Sequence, residues 1–178
     1  MRILKAVGFT LVGLFVVVTL LALVLPRTWT VQRETVVSAP PEAILPLIAS
    51  FKDGWTQWSP FGTAEDPSMK LSFTGPDSGA GATESWVSDR MPPGSMHIVD
   101  TSDHGVTYEL ALGDDVIKGT ITLDQQSSTS TRVVWRDDGD VGGNPYRHYF
   151  AMLLPVMMGD GFDKGLLALK HKAEAHPR

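Results

Sequence analysis

The hydrophobic pattern of the chain changes character once, near residue 26. AVGFTLVGLFVVVTLLALVL, residues 6–25, carries no charge. A helix of about 20 such residues matches the ~30 Å hydrocarbon core of a bilayer. Arg2 and Lys5 precede the run, Pro26 and Arg27 end it, and Trp29 follows at the depth where aromatic belts sit. The pattern predicts an uncleaved transmembrane anchor over residues 1–27. The rival is a cleavable signal peptide, whose apolar region is shorter, about 7–15 residues, and ends in a small-x-small site. The exit LALVLPRTW offers no such site close after the run.

From residue 28 the apolar positions follow the periods of strands and helices. TWTVQRETVVSA (28–39) is rich in β-branched residues and predicts a strand. PPEAILPLIASF (40–51) puts prolines in a first helical turn, where a missing N–H costs little, and spaces Ile44, Leu45, Leu47 and Ile48 helically. Pro46 should limit this helix or split it. The loop DGWTQWSPF (53–61) holds two tryptophans amid turn residues. Trp55 and Trp58 are expected where the short helices meet the sheet, each indole N–H on a loop carbonyl, either plugging that gap or with one of them at a cavity mouth. MKLSFTG (69–75) and GATESWVSD (81–89) predict strands around the turn region GPDSGAG. GSMHIVDTSD (94–103) with GVTYELALG (105–113), and VIKGTITLDQQ (116–126) with TRVVWRDDG (131–139), predict two more pairs. Short strands with regular turn signals suggest one antiparallel sheet. NPYRHYFAMLLPVMMGDGFDKGLLALKHKAEAH (144–176) predicts a long helix, capped by Asn144 with Pro145 in its first turn. Pro155 and the Gly159/Gly161 pair should kink it, and Phe162, Leu166 and Leu169 form an apolar stripe.

This order, strand, short helices, strands, long helix, predicts an α+β domain over 28–178. Its curved sheet needs apolar cover, which the last helix provides, and the splayed sheet ends can leave a hollow. A chain of 178 residues suffices for one domain with a full core. Net charge is -5, and with Arg2 and Lys5 ahead of the apolar run the remainder is more acidic still. An acidic domain without a basic cluster argues against nucleic acid and against strong attraction to anionic lipid heads. The absence of cysteine excludes disulfides, thiolate catalysis and cysteine metal sites, and suits an oxidising compartment. Arg2 and Lys5 outweigh Arg27 beside the membrane, which places the C-terminal domain on the periplasmic or extracellular side of an inner or plasma membrane.

Strand alternation gives the residues expected to face the hollow: Phe73, Trp86, Met96, Ile98, Tyr108, Leu110, Ile121, Leu123, Val133 and Trp135. Met152, Met157, Met158 and Phe162 are expected to face it from the long helix. Candidate ligand contacts from this set are Phe73, Trp86, Met96, Ile98, Tyr108, Leu110, Ile121, Trp135, Met152 and Met157, together with Trp58. Methionine side chains adapt to varied apolar ligands. Glu84 shares parity with Trp86. A carboxylate in an apolar hollow has a raised pKa and can serve as acid or base; a rim position is the plainer reading. Tyr108 can orient a carbonyl, or can be a satisfied core tyrosine. His148, beside Tyr146, Arg147 and Tyr149, has no placed carboxylate partner. The histidines lack metal-ligand spacing, and DDGD (137–140) lacks the EF-hand pattern and reads as a strand-end turn. GAG (79–81) is no dinucleotide fingerprint, and no serine sits in a nucleophile elbow. Neither a metal nor a cofactor is expected.

Several segments together carry a resemblance: VSAPPEAILPLIASF, WSPF, DPSMKLSFTGPDSGAGATESW, GSMHIVD, TRVVW and GFDKGLLALK. Over roughly residues 29–173 the chain resembles the polyketide cyclase/dehydrase (SRPBCC) branch of the START-like, pollen-allergen-like helix-grip fold. The resemblance implies a curved antiparallel sheet gripping a long C-terminal helix, with a cavity between them for apolar or amphipathic small molecules. Members of this branch often carry one N-terminal membrane segment. The resemblance supplies no catalytic motif. Three readings follow: a membrane-anchored domain binding a small hydrophobic molecule or lipid; a cyclase- or dehydratase-like enzyme using Glu84 or Tyr108; and an interaction protein with a filled core. A hollow of roughly 300 Å³ or more separates the third from the others.

Overall fold

Seven strands form a single antiparallel sheet, the last six joined in sequence by connections short enough to return the chain beside itself. The structure is a computed structural model and describes residues 2–175. Helix α1 (Arg2–Val24) leads into β1 (Thr28–Val37) and α2 (Pro41–Ile48), and a single 3₁₀ turn spans Trp55–Gln57. Then come β2 (Lys70–Thr74), β3 (Thr83–Val87), β4 (Gly94–Ser102), β5 (Gly105–Leu112), β6 (Asp115–Ser127), β7 (Ser130–Asp140) and α3 (Pro145–Glu174). The sheet order is β1-β7-β6-β5-β4-β3-β2. The chain therefore crosses the full sheet once, through α2 and the tryptophan loop, and meanders back strand by strand to pair β7 with β1. A register shift between Ile98 and Asp100 interrupts the β4–β5 pairing, a device that bends a strand.

Period-two burial fixes which face is the core. In β7, Thr131, Val133, Trp135 and Asp137 are buried on the inner face. DDGD therefore forms the last four residues of a strand, not a turn. Helix α3 lays Ala151, Phe162, Leu166, Leu169 and Ala173 against that face. Asn144 caps it, its side-chain oxygen accepting from Tyr146 N at 3.1 Å. The helix runs unbroken through Pro155 and both glycines. These glycines serve close approach: a side chain at Gly161 would meet the Phe61 ring at 2.6 Å, and one at Gly159 would meet the Arg33 guanidinium. Helix α2 is likewise one piece, with Pro46 inside it.

Eight residues make a short helix whose last carbonyls need partners. Two tryptophans supply them. Trp55 donates its indole N–H to Ile48 O at 2.6 Å, and Trp58 donates to Leu47 O at 2.8 Å. Both rings then pack edge-to-face in the end of the core against Trp135, which itself lies parallel to Phe162 with centroids 4.0 Å apart. This aromatic plug fills one end of the grip between sheet and α3.

Helix α1 holds a 20-residue window, Lys5–Val24, long and apolar enough to cross a membrane. Its C-terminal half touches the start of α3. Tyr149 donates to Val18 O at 2.7 Å, the Tyr146 and Thr19 hydroxyls are 3.0 Å apart, and His148 Nδ1 lies 2.8 Å from Ala22 O. Trp29, expected at an aromatic belt, is instead buried on the inner face of β1.

Candidate ligand-binding cavity

The end of the grip opposite the aromatic plug is hollow. A cavity of about 350 Å³ lies between the inner face of the sheet, the loop after Trp58 and the first half of α3. Three rings widen its floor by lying on glycines of the neighbouring strand. Tyr108 packs over Gly119, Trp86 over Gly94 and Trp29 over Gly139, and a side chain at any of the three would collide with the ring. Glu84, Met96, Leu110 and Ile117 form one lateral row across β3 to β6 in the same floor. Phe61, Met69 and Leu71 close one side, and Phe150, Leu154, Met158 and Phe162 of α3 form the roof.

The register also sets the polar groups. Tyr108, Gly119 and Asp137 are directly opposed on β5, β6 and β7. The absence of a side chain at Gly119 lets the Tyr108 ring reach across a whole strand, so its hydroxyl donates to Asp137 Oδ1 and accepts from the Trp135 indole N–H at 2.6 Å. Burial raises the Asp137 pKa to about 7, opposed by the tyrosine hydrogen bond. Burial, with the adjacent Asp137 charge, holds the Tyr108 hydroxyl well above its usual range. Glu84 differs from this pair. It is buried at 7% exposure, and desolvation alone raises its pKa to about 7. No hydrogen bond or ion pair to a described residue offsets that cost. At the rim, Arg147 pairs with Asp115, and Asp140 pairs with Arg27 at 3.0 Å. Among the described residues no group of three or more His, Asp or Glu side chains could hold a metal ion.

Of the residues expected at the site, Glu84, Trp86, Met96, Tyr108, Leu110 and Trp135 line this one cavity. The others stand elsewhere. Ile98 and Ile121 are fully buried in the packed end, where Trp55 and Trp58 fill the space. Trp58 is core, and Trp55 is the tryptophan that borders the hollow. Phe73 opposes Glu84 in register but lies one residue beyond the floor, by a small polar cleft with Phe51 and Asp77. Met152 and Met157 are exposed, because the helical stripe Leu154–Met158–Phe162 turns them away from the sheet. His148 points at backbone oxygens of Ala22 and Gly142, not into the cavity. Asp137 was missed. Its parity with Val133 and Trp135 was the available signal.

A family model described as polyketide cyclase/dehydrase and lipid transport matches residues 28–174. The chain belongs to that family. No curated protein matches the chain. Solved structures share the family's fold at low identity. Norcoclaurine synthase from Thalictrum flavum, in complex with dopamine and hydroxybenzaldehyde, is 14% identical with a TM-score of 0.62, over 85% of this chain and 89% of that one. TTHA0849 from Thermus thermophilus is 19% identical with a TM-score of 0.59, over 82% and 97%. Ara h 8.0201 is 9% identical with a TM-score of 0.53, over 84% and 99%. The polyketide cyclase/dehydrase domain accordingly has the helix-grip architecture: a curved seven-stranded antiparallel sheet closed on a long C-terminal helix.

Proposed function

We propose that the protein is a membrane-anchored binding domain, 28–178 behind an anchor of 1–27, whose cavity holds a small hydrophobic or amphipathic molecule. The observation that carries this reading is the cavity itself: about 350 Å³, walled by aromatic, leucine and methionine side chains, between sheet and helix. That volume lies within the range of small-molecule sites and exceeds what a filled core would leave. The anchor is supported by α1, whose apolar side chains are mostly exposed, and by a continuing exposed apolar face on α3 formed by Leu153, Val156 and Met157. Such a placement sets a hollow apolar domain beside a source of hydrophobic ligands.

A second reading is supported by one specific feature. Glu84 and the Tyr108–Asp137 pair give the cavity two carboxyl groups with values raised to about 7, the range in which a group can both give and take a proton. A cyclase- or dehydratase-like reaction would use them. Cavity filling tests the binding reading. Leu110→Trp places a large ring in the floor of the cavity. In the full chain, reconstituted in lipid nanodiscs, it should weaken binding of the neutral probe 1-adamantanol about ten-fold or more while the circular dichroism of the fold is kept. Unchanged probe affinity in a folded variant would rule out this cavity as the site.

A further inference from the structure

We infer that the cavity is built for a ligand carrying a cationic amine on an apolar body, with the Glu84 carboxylate as its counter-ion. This deepens the binding reading above and rests on it. The first argument is donor accounting. A buried carboxylate stays charged only if donors or cations face it. Most side-chain donors that line the cavity are committed elsewhere: Trp55 to Ile48 O, Trp86 to Pro92 O at 3.1 Å, Trp135 to Tyr108, Tyr108 to Asp137, Arg147 to Asp115 and Thr56 to Lys52 O; the Ser59 and Thr63 hydroxyls also line it and make no bond to Glu84. Trp29 lies over Gly139 on the far edge strand. Glu84 faces the hollow with none of these.

The second argument is charge. The side chains that line the cavity include Glu84, Asp115, Asp137 and Asp140 against a single cation, Arg147. Asp115 is paired with Arg147 and Asp140 with Arg27, so the carboxyl groups without a cation are Glu84 and Asp137, and an anionic ligand such as a fatty acid would meet them in an apolar space, where like charges repel most. The third argument is the walls. Trp29, Trp55, Trp86, Trp135 and Phe61 line the cavity, and aromatic rings attract cations through the quadrupole. The neighbours of Glu84 in its row, Met96 and Leu110, and Leu71 of β2, add apolar contact without a competing charge.

Three probes of one shape test the assignment: 1-adamantylamine, 1-adamantanol and adamantane-1-carboxylate. Each is titrated calorimetrically into the full chain in lipid nanodiscs at pH 8.5, with empty discs as reference. The amine should bind about ten-fold or more tighter than the alcohol, as charge-assisted hydrogen bonds do, and the carboxylate weakest. In Glu84→Gln the amine-to-alcohol ratio should fall to about one, while Glu84→Asp, which keeps the charge, should retain a ratio above one. Lowering the pH to 5.5 should shrink the wild-type ratio as the Glu84 carboxylate takes up its proton. Asp137 gains its proton in the same range, and Asp115, Asp140 and Arg147 share the cavity, so the substitution makes the assignment and the pH series checks it should the glutamine variant fail to fold. Equal binding of amine and alcohol to the wild type, or tightest binding of the carboxylate, would overturn the inference and leave the binding reading standing. Absence of binding by all three would remove both.

Discussion

At the scale of single residues, Glu84 and Asp137 are two buried carboxyl groups with similar raised pKa values but different surroundings. Asp137 has a tyrosine hydroxyl on it, and Glu84 has no hydrogen-bond or ion-pair partner among the described residues. A raised folded-state value has a defined sign. The folded protein binds the proton more tightly than the unfolded chain, so the stabilisation is complete below the unfolded value near 4.5 and is lost as pH rises to about 7. The shift at Glu84 corresponds to about 3 kcal/mol. Thermal unfolding of the ligand-free chain between pH 5 and 8 should therefore show wild type losing stability with pH, and Glu84→Gln losing about 2 kcal/mol less over the same interval. Parallel pH profiles would mean that Glu84 is solvated. Parity made Glu84 legible from Trp86 in the sequence. The same rule applied to Val133 and Trp135 points to Asp137, but the acidic run DDGD looked like a turn, because three aspartates and a glycine carry strong loop propensity. Tertiary pairing with β1 and β6 kept those residues extended.

At the scale of elements, existence and type were legible and orientation was less so. The first strand was legible by its β-branched residues, the others as short runs between turn residues, and the long helix by Asn144-Pro145 and its apolar stripe. Neither internal proline ends its helix outright: α2 stops at Ile48, two residues after Pro46. Pro46 and Pro155 lie inside intact helices, where packing against the sheet outweighs the lost hydrogen bond. Met152 and Met157 share a helix with Met158, but a shift of one residue turns a side chain by ~100°, and only the docked helix shows which of the three faces the hollow. Trp55 and Trp58 posed the same difficulty. Both cap α2, and the 3₁₀ turn between them decides which one borders the cavity.

At the scale of the whole molecule, the cavity exists because the aromatic plug fills only one end of the grip. The sequence indicated a hollow but not its extent, which depends on rings lying over Gly94, Gly119 and Gly139 across strand registers. The contacts of Tyr146, His148 and Tyr149 with α1 were also hidden, since nothing in a linear pattern pairs the start of α3 with an apolar run more than a hundred residues earlier. In the anchored reading proposed above, Arg2 and Lys5 put the C-terminal domain outside under the positive-inside rule. The chain has no cysteine, so Ser128→Cys at the exposed β6–β7 turn gives one reactive thiol. A membrane-impermeant maleimide should label it in intact cells; labelling only after lysis would reverse the orientation.

A small hydrophobic molecule held in the cavity should survive native mass spectrometry of the full chain taken from its host's membranes. The expected result is a mass adduct that solvent extraction releases as one small apolar molecule bearing an amine, and that Leu110→Trp abolishes. An adduct-free wild-type mass, or an adduct that survives Leu110→Trp undiminished, would contradict it.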